Sequence, residues 1–303
     1  MAINLVTYLF FNIINLYKHT MNKTTNIIAF QGEIGANSDL ACRSVHPEMK
    51  TLPCETFEET FDSVRTGKAK LALIPIDNSV AGRVADIHQL LPESGLFIVG
   101  EHFQRVEHHL LATPGSKLSD LTHVHSHIHA LNQCKAFLNA NKIKAVVHVD
   151  TAAAAKDIAM RGEKEHGAIA SELAGKIYGL NSLEANIEDE SHNTTRFILM
   201  SSTPLKTVSD EGKMITSLFF RVRNVPAALY KSLGGFATNG VNITKLESYI
   251  VGGEWFAAQF YADVEGHPDQ RGLSLAMEEL QFFSSEVKVL GTYPAHPFRM
   301  TLK

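Results

Sequence analysis

MITSLFFRV, Met214–Val222, decides how the C-terminal part of the chain is read. Its β-branched and aromatic residues make it a strand. VPAALYKSLGGFATNG then reads as a helix with Pro226 suited to its first turn. VNITKLESYIV and GEWFAAQFYADV are two more strands, joined by the turn-forming pair Gly252-Gly253. PDQRGLSLAMEELQFFSSE is a second helix, with Leu273, Ala276, Met277 and Leu280 recurring on one face, and VKVLGTY is a last strand. The order βαββαβ is the ferredoxin-like unit. A sheet with helices on one face has another face and an edge to protect. Pairing with a second copy is therefore expected, giving a homodimer or a larger homo-oligomer.

Working back from Met214, the polar stretch STPLKTVSDEGK (residues 202–213) is a linker, placed at 204–213. Before it, short apolar runs alternate with amphipathic stretches, the pattern of an α/β sheet protein. The strand candidates are NIIAF, KLALIPI, LFIVG, HHLLAT, KAVVHV, GAIAS and RFILMS. Helices are expected over TFEETFDSVRTG, where Thr56 and Glu59 are spaced as a capping box, and over ALNQCKAFLNAN and TAAAAKDIAMRG.

The chain has 303 residues, 45% of them hydrophobic and 20% charged, enough material for two domains. Its 32 acidic and 28 basic residues give a net charge of -4 without long runs, so nucleic acid is not an expected partner. Cys42, Cys54 and Cys134 never form C-x-x-C, which suggests neither a disulfide framework nor a zinc ribbon and fits a reducing cytoplasm. The apolar start, MAINLVTYLFFNIINLYKHT, is interrupted by Asn12 and Asn15 and resembles neither an export signal nor a membrane span. Residues 1–23 are read as an extension outside the fold, with translation starting naturally at Met21.

Three stretches carry chemistry. LTHVHSHIHALNQC places His123, His125, His127 and His129 at every second position. A short strand ending near Ser126, followed by a turn into a helix, keeps four imidazoles from converging on one ion, so no metal site is expected. In IPIDNSVAGRV, a buried strand ends at Asp77, Asn78 and Ser79, the polar carboxyl end at which α/β folds line a ligand crevice; a plain turn is the competing reading. In NTTRFILM, hydroxyls and Arg196 precede an apolar strand; the guanidinium fork suits a carboxylate, and an exposed strand entry is the bland alternative. Together they supply amides, hydroxyls and a guanidinium but no activated nucleophile and no phosphate loop, which argues for a small carboxylate ligand.

These residues, in this order, resemble the prephenate dehydratases. The family's TRF signature is matched by Thr195, Arg196 and Phe197, preceded by Asn193. Its P-x-E-N-S segment is matched by Pro75 to Ser79, with Asp77 in place of Glu, and its S-H-P-Q-A-L-x-Q-C segment by Ser126 to Cys134, with Ile128 and His129 departing from Pro and Gln. VDTAAAA and GAIASELAGKIYGL are also family-like. The C-terminal unit resembles an ACT domain, a regulatory module that binds amino acids at its dimer interface. The family's GALV and ESRP stretches appear as Ala227, Ala228, Leu229, Tyr230 and as Glu247, Ser248, Tyr249, Ile250.

The resemblance implies a fold and an activity. The fold is a catalytic domain over 24–203 of periplasmic-binding-protein type II-like form, with one lobe at 24–105 plus 190–203 and the other at 106–189, and a ferredoxin-like ACT domain at 214–303. The activity is conversion of prephenate to phenylpyruvate, without a cofactor, under feedback by L-phenylalanine. Thr195 would donate to the leaving hydroxyl, Arg196 would hold a carboxylate, and Phe197, Asn78, Ser79, Ser126 and Gln133 would complete the site. Ala227, Ala228, Leu229, Asn242, Glu247 and Ser248 would bind phenylalanine. Arogenate dehydration and a non-catalytic amino-acid sensor are the alternatives.

Overall fold

A computed structural model describes residues 26–84, 87–207, 212–249 and 259–301. In chain order the elements are β1 (Ile27–Gln31), α1 (Asn37–Val45), β2 (Lys50–Cys54), α2 (Phe57–Arg65), β3 (Leu71–Asn78), β4 (Gly82–Arg83), α3 (Ile87–Leu90), β5 (Phe97–Arg105), β6 (His109–Ala112) and β7 (His123–Ser126). Next come α4 (Ile128–Gln133), α5 (Lys135–Ala140), β8 (Lys144–Val147), α6 (Thr151–Arg161), β9 (His166–Ala170), α7 (Glu172–Tyr178), β10 (Asn181–Glu184) and β11 (Thr194–Ser201). The last are β12 (Met214–Val222), α8 (Ala228–Thr238), β13 (Ile243–Tyr249), β14 (Gln259–Glu265), α9 (Arg271–Phe283) and β15 (Ser284–Pro294).

Three sheets result. One has the order β2-β1-β3-β11-β5, with β4 on β3; the second is β10-β6-β9-β7-β8; the third is β13-β14-β12-β15. The chain passes from the first sheet to the second between β5 and β6 and returns between β10 and β11, so the two lobes are joined by two crossings. The third sheet has the ferredoxin-like order, and its central strand β12 is buried on both faces.

Alternation along β12 explains that double burial. Leu218, Phe220 and Val222 pack with α8 and α9, where Leu273, Ala276, Met277 and Leu280 are all buried. Ile215 and Phe219 point the other way and share a core with Ile74, Ile76, Ile98, Ile198 and Met200 of the first sheet. The face that the sequence left open for a second copy is thus covered by the chain's own first lobe. Strand β13 remains a sheet edge, whose outer hydrogen-bonding groups have no ladder partner among the described residues.

Gly291 shows how close the two sheets come. A Cβ built there would lie 2.0 Å from the Ile98 carbonyl oxygen, so only glycine fits where β15 crosses β5.

Several local expectations change. Thr56 caps α2 through the Glu59 N–H, but the Glu59 carboxylate takes the Glu55 N–H instead of closing a box on Thr56. ALNQCKAFLNAN is two short helices, α4 and α5, meeting at Cys134. Pro226 lies in the turn before α8, whose N-cap is Ala227 at φ 60°. The Gly252-Gly253 turn, part of the linker and residues 1–23 lie outside the described residues.

Candidate active site

Between the first and second sheets lies a cleft of about 870 Å³. Its floor is built by β3 and β11, whose antiparallel register sets Asn78 opposite Thr195 and Asp77 opposite Arg196. Successive residues on a strand face opposite sides. Thr195 and Asn78 therefore line the cleft, while Asp77 and Arg196 turn toward the C-terminal domain.

Hydrogen bonds fix the polar floor in one orientation. The Val80 and Ala81 N–H groups donate to Asn78 Oδ1 at 3.0 and 2.8 Å, so the Asn78 Nδ2 group faces the cleft floor as a donor. It donates to Thr195 Oγ1 at 2.9 Å and to Asn193 Oδ1 at 2.8 Å. Asn193 Nδ2 in turn donates to Gln133 Oε1 at 2.8 Å, and His108 Nε2 lies 2.8 Å from the same oxygen. An oxygen that accepts from both requires His108 to carry its proton on Nε2. Burial lowers the His108 pKa against the opposing pull of the Gln133 hydrogen bond, which fits a neutral ring with Nδ1 bare. At the other end of the chain of bonds, Thr195 Oγ1 accepts a hydrogen bond from Asn78, and its own O–H has no acceptor among the described residues. The hydroxyl is thus free to donate into the cleft that Thr195 lines.

The same lobe brings the first turn of α1 to the cleft. Ala36, its N-cap, makes no side-chain cap bond, and Asn37 and Ser38 face the cleft. First-turn N–H groups lack intrahelical acceptors and bear the positive end of the helix dipole, an arrangement suited to a carboxylate. Glu33, Glu55, Glu59 and Asp150 also border the cleft. Asp150 Oδ1 caps α6 by accepting from Ala152 and Ala153, and Glu33 pairs with Lys156 at 3.5 Å. Cys54, also in the wall, has its thiol pKa raised by burial, so it is a poor nucleophile.

The remaining site residues proposed from sequence fall elsewhere. Arg196 is buried, with Nε on Glu101 at 2.9 Å, Nη1 on Asp263 at 2.5 Å and Nη2 on the Tyr293 hydroxyl at 3.1 Å. Its guanidinium is consumed on the far side of β11 and does not reach a ligand in the cleft. Phe197 is core beneath α1, packed with Phe30, Leu73 and Leu199. Ser126 is fully buried and donates to the Ile169 carbonyl at 2.6 Å, which ties β7 to β9. Ser79 accepts from the Thr194 N–H and donates to the His192 carbonyl, closing the rim of the floor.

The histidine run divides where β7 ends at Ser126 and the chain turns into α4. His125 Nε2 lies 2.9 Å from His166 Nδ1, and the His123 ring stacks on the His166 ring. His127 caps α4 and, with His129, borders the cleft. Among the described residues no group of three or more His, Cys, Asp or Glu is placed to hold a metal ion. No helix among them is long and apolar enough to cross a membrane.

In the C-terminal domain, Tyr249 and Arg221 both pair with Gln259, whereas Ile243 and Thr216 both pair with Val264. β13 therefore runs parallel to β12, which brings Glu247 and Ser248 to the end of the sheet where α8 begins at Ala227, Ala228 and Leu229. Asn242 lies at the opposite end.

The match to known proteins agrees with this geometry. Residues 28–204 match the family model described as prephenate dehydratase. A bifunctional N-acyl-homoserine lactone acylase/prephenate dehydratase of Komagataeibacter europaeus is 52% identical over 90% of this chain and 97% of its own length. Arogenate dehydratase/prephenate dehydratase 1 of Arabidopsis thaliana is 36% identical over 92% of this chain and 75% of its own. The crystal structure of the prephenate dehydratase of Arthrobacter aurescens in complex with L-Phe superposes with a TM-score of 0.81 at 29% identity, covering 89% of this chain and 90% of that one. The chain belongs to the prephenate dehydratase family.

Proposed function

We propose that this enzyme converts prephenate to phenylpyruvate and is inhibited by L-phenylalanine bound to its C-terminal ACT domain. The observation that carries the reading is the Thr195 hydroxyl, held at 2.9 Å by the Asn78 amide with its proton left for the cleft. Prephenate loses CO2 from one ring carbon and a hydroxyl from the carbon opposite. The electrons of the breaking C–C bond pass through the ring as the C–O bond opens, and aromatisation supplies the driving force. Charge collects on the departing oxygen. A donor already aimed at that oxygen stabilises it by a few kcal/mol, about 2.7–4 for a comparable preorganised donor. Asn78, Asn193 and Gln133 position that donor, and the first turn of α1 receives the side-chain carboxylate. No step uses a cofactor.

The effector assignment draws support from the L-Phe complex of the Arthrobacter relative and from the gathering of Ala227–Leu229 with Glu247 and Ser248 at one end of the sheet. Pairing of two copies along β13 would complete that site, in a dimer or tetramer located in the cytoplasm. A second reading takes arogenate, whose amine suits the carboxylates bordering the cleft, and a plant relative carries both names. Measuring aromatic product from prephenate and from arogenate, with and without phenylalanine, separates these readings. Prephenate turnover suppressed by phenylalanine is expected; turnover of arogenate alone moves the assignment to the second reading. Absence of both sinks the dehydratase activity. Hydrolysis of an N-acyl-homoserine lactone, the other activity named for the Komagataeibacter relative, is a further arm of the same assay.

A further inference from the structure

Two sets of polar contacts join the C-terminal domain to the strands that carry Asn78 and Thr195, and they differ in burial. The first is sealed. Arg196 and Arg299 are interleaved with Glu101 and Asp263, two carboxylates without solvent exposure, and with Ser217, Tyr261 and Tyr293. It joins the first and third sheets.

The second set lies at the margin. Lys245 Nζ on β13 reaches Asp77 Oδ1 at 2.7 Å and Glu247 Oε1 at 3.1 Å. Arg83 Nη1 on β4 donates to the Ser248 carbonyl at 3.0 Å and lies 3.8 Å from Glu247. Asp77 precedes Asn78 directly, and Arg83 pairs with Asp77 across the β3–β4 turn. That turn supplies the Val80 and Ala81 N–H groups that orient the Asn78 amide. Lys245 and Arg83 therefore grip both sides of the turn that sets the amide holding Thr195. Their partners on β13, Glu247 and Ser248, belong to the proposed effector stretch.

We propose that Lys245 and Arg83 are positioning residues for the dehydratase reaction, acting through Asp77 and the β3–β4 turn, and that phenylalanine inhibits by loosening this tie. The proposal rests on the dehydratase and effector readings above. Neither residue faces the cleft, since Asp77 and Asn78 are on opposite faces of β3. The Asp77 carboxylate of the Lys245–Asp77 pair keeps some solvent contact, at 25% exposure, whereas Glu101 and Asp263 have none, so an effector's coupling energy of about 1–3 kcal/mol has less to overcome at the margin.

The test uses the full chain with Lys245→Met, Asp77→Asn and the double variant. Each single change is expected to lower kcat about three- to tenfold while KM moves less than about twofold, and the double to fall no further than the worse single, because both remove one tie. Lys245→Arg, which can still donate to Asp77, should recover most of kcat. Amide exchange over residues 78–84 should quicken in Lys245→Met while lobe two is unchanged, an arm that needs no turnover and so stands even if the dehydratase reading fails. Losses that add in the double variant, or unaltered exchange in that segment, overturn the positioning role. Calorimetry should show phenylalanine still bound by Lys245→Met but inhibiting less than the wild type; undiminished fractional inhibition overturns the regulatory half.

Discussion

Replacing Arg196 with methionine separates the role its motif suggests from the role its position imposes. The side chain makes three hydrogen bonds, to Glu101, Asp263 and the Tyr293 hydroxyl, and lies 3.8 Å from Asp77, all on the side of β11 away from the cleft. In the wild type, burial opposes ionisation of Asp263, but the Arg196 charge and the hydrogen bonds from Ser217 and Tyr261 outweigh it and hold its pKa below the usual value. Without Arg196, two carboxylates with no side-chain exposure keep Arg299 as their one cationic partner among the described residues. Removing one member of a buried ionic cluster costs about 3–5 kcal/mol, which for a chain of this length lowers Tm by about 6–10 °C. The sign with pH follows. In the wild type, a depressed Asp263 pKa contributes stability above the unfolded value near 4, lost as pH falls through the folded value. In Arg196→Met, the charge that most lowers the Asp263 pKa is gone, so that pKa rises relative to wild type and the deficit should shrink as pH falls toward the unfolded value near 4. Differential scanning calorimetry at several pH values, with prephenate kinetics below the melting range, measures both. A KM raised by two orders of magnitude with an unchanged Tm would refute this placement and return Arg196 to the substrate.

Three further perturbations address other parts of the molecule. Thr195→Val should reduce kcat about 10²–10³-fold with little change in Tm, whereas Thr195→Ser, which keeps the donor, should retain much of it; equal losses in both variants would show that the hydroxyl is not what matters. His88 is buried against the Tyr261 ring with neither ring nitrogen partnered, and burial, aided by the Lys245 charge, pushes its pKa down to about 4. Its neutral form therefore stabilises the fold above pH 6.5, and about 3 kcal/mol is lost as pH falls from 6.5 to about 4, a slope that His88→Leu should flatten in urea titrations. Gly291→Ala would drive a methyl into the Ile98 carbonyl and part β15 from β5; a wild-type Tm and an unchanged radius of gyration in X-ray scattering would count against that packing.

The pattern of what the sequence disclosed follows from the range of each interaction. The C-terminal unit was legible because its signals are local: Leu273, Ala276, Met277 and Leu280 repeat at helical spacing, and all four are buried. Thr195 and Asn78 were legible through motifs, and the register of β3 on β11 accounts for why two motifs 117 residues apart meet in one cleft. Elements with weak local signals were missed. α1 begins after Ala36, which provides no side-chain cap, and β2 contains Pro53, tolerated because β2 is a sheet edge. His108 could not be picked from HHLLAT, since its meaning depends on Gln133, which also meets Asn193 from the other lobe. Arg196 is the instructive case. Strand alternation alone forbids Thr195 and Arg196 from facing one cleft, so a signature read as a block contains residues with opposite destinations. What alternation could not supply was the destination itself, because Glu101 and Asp263 are 95 and 67 residues away along the chain. A motif in a β-strand therefore assigns two surfaces, and here the second is the seam through which the C-terminal domain touches the strand that carries Thr195.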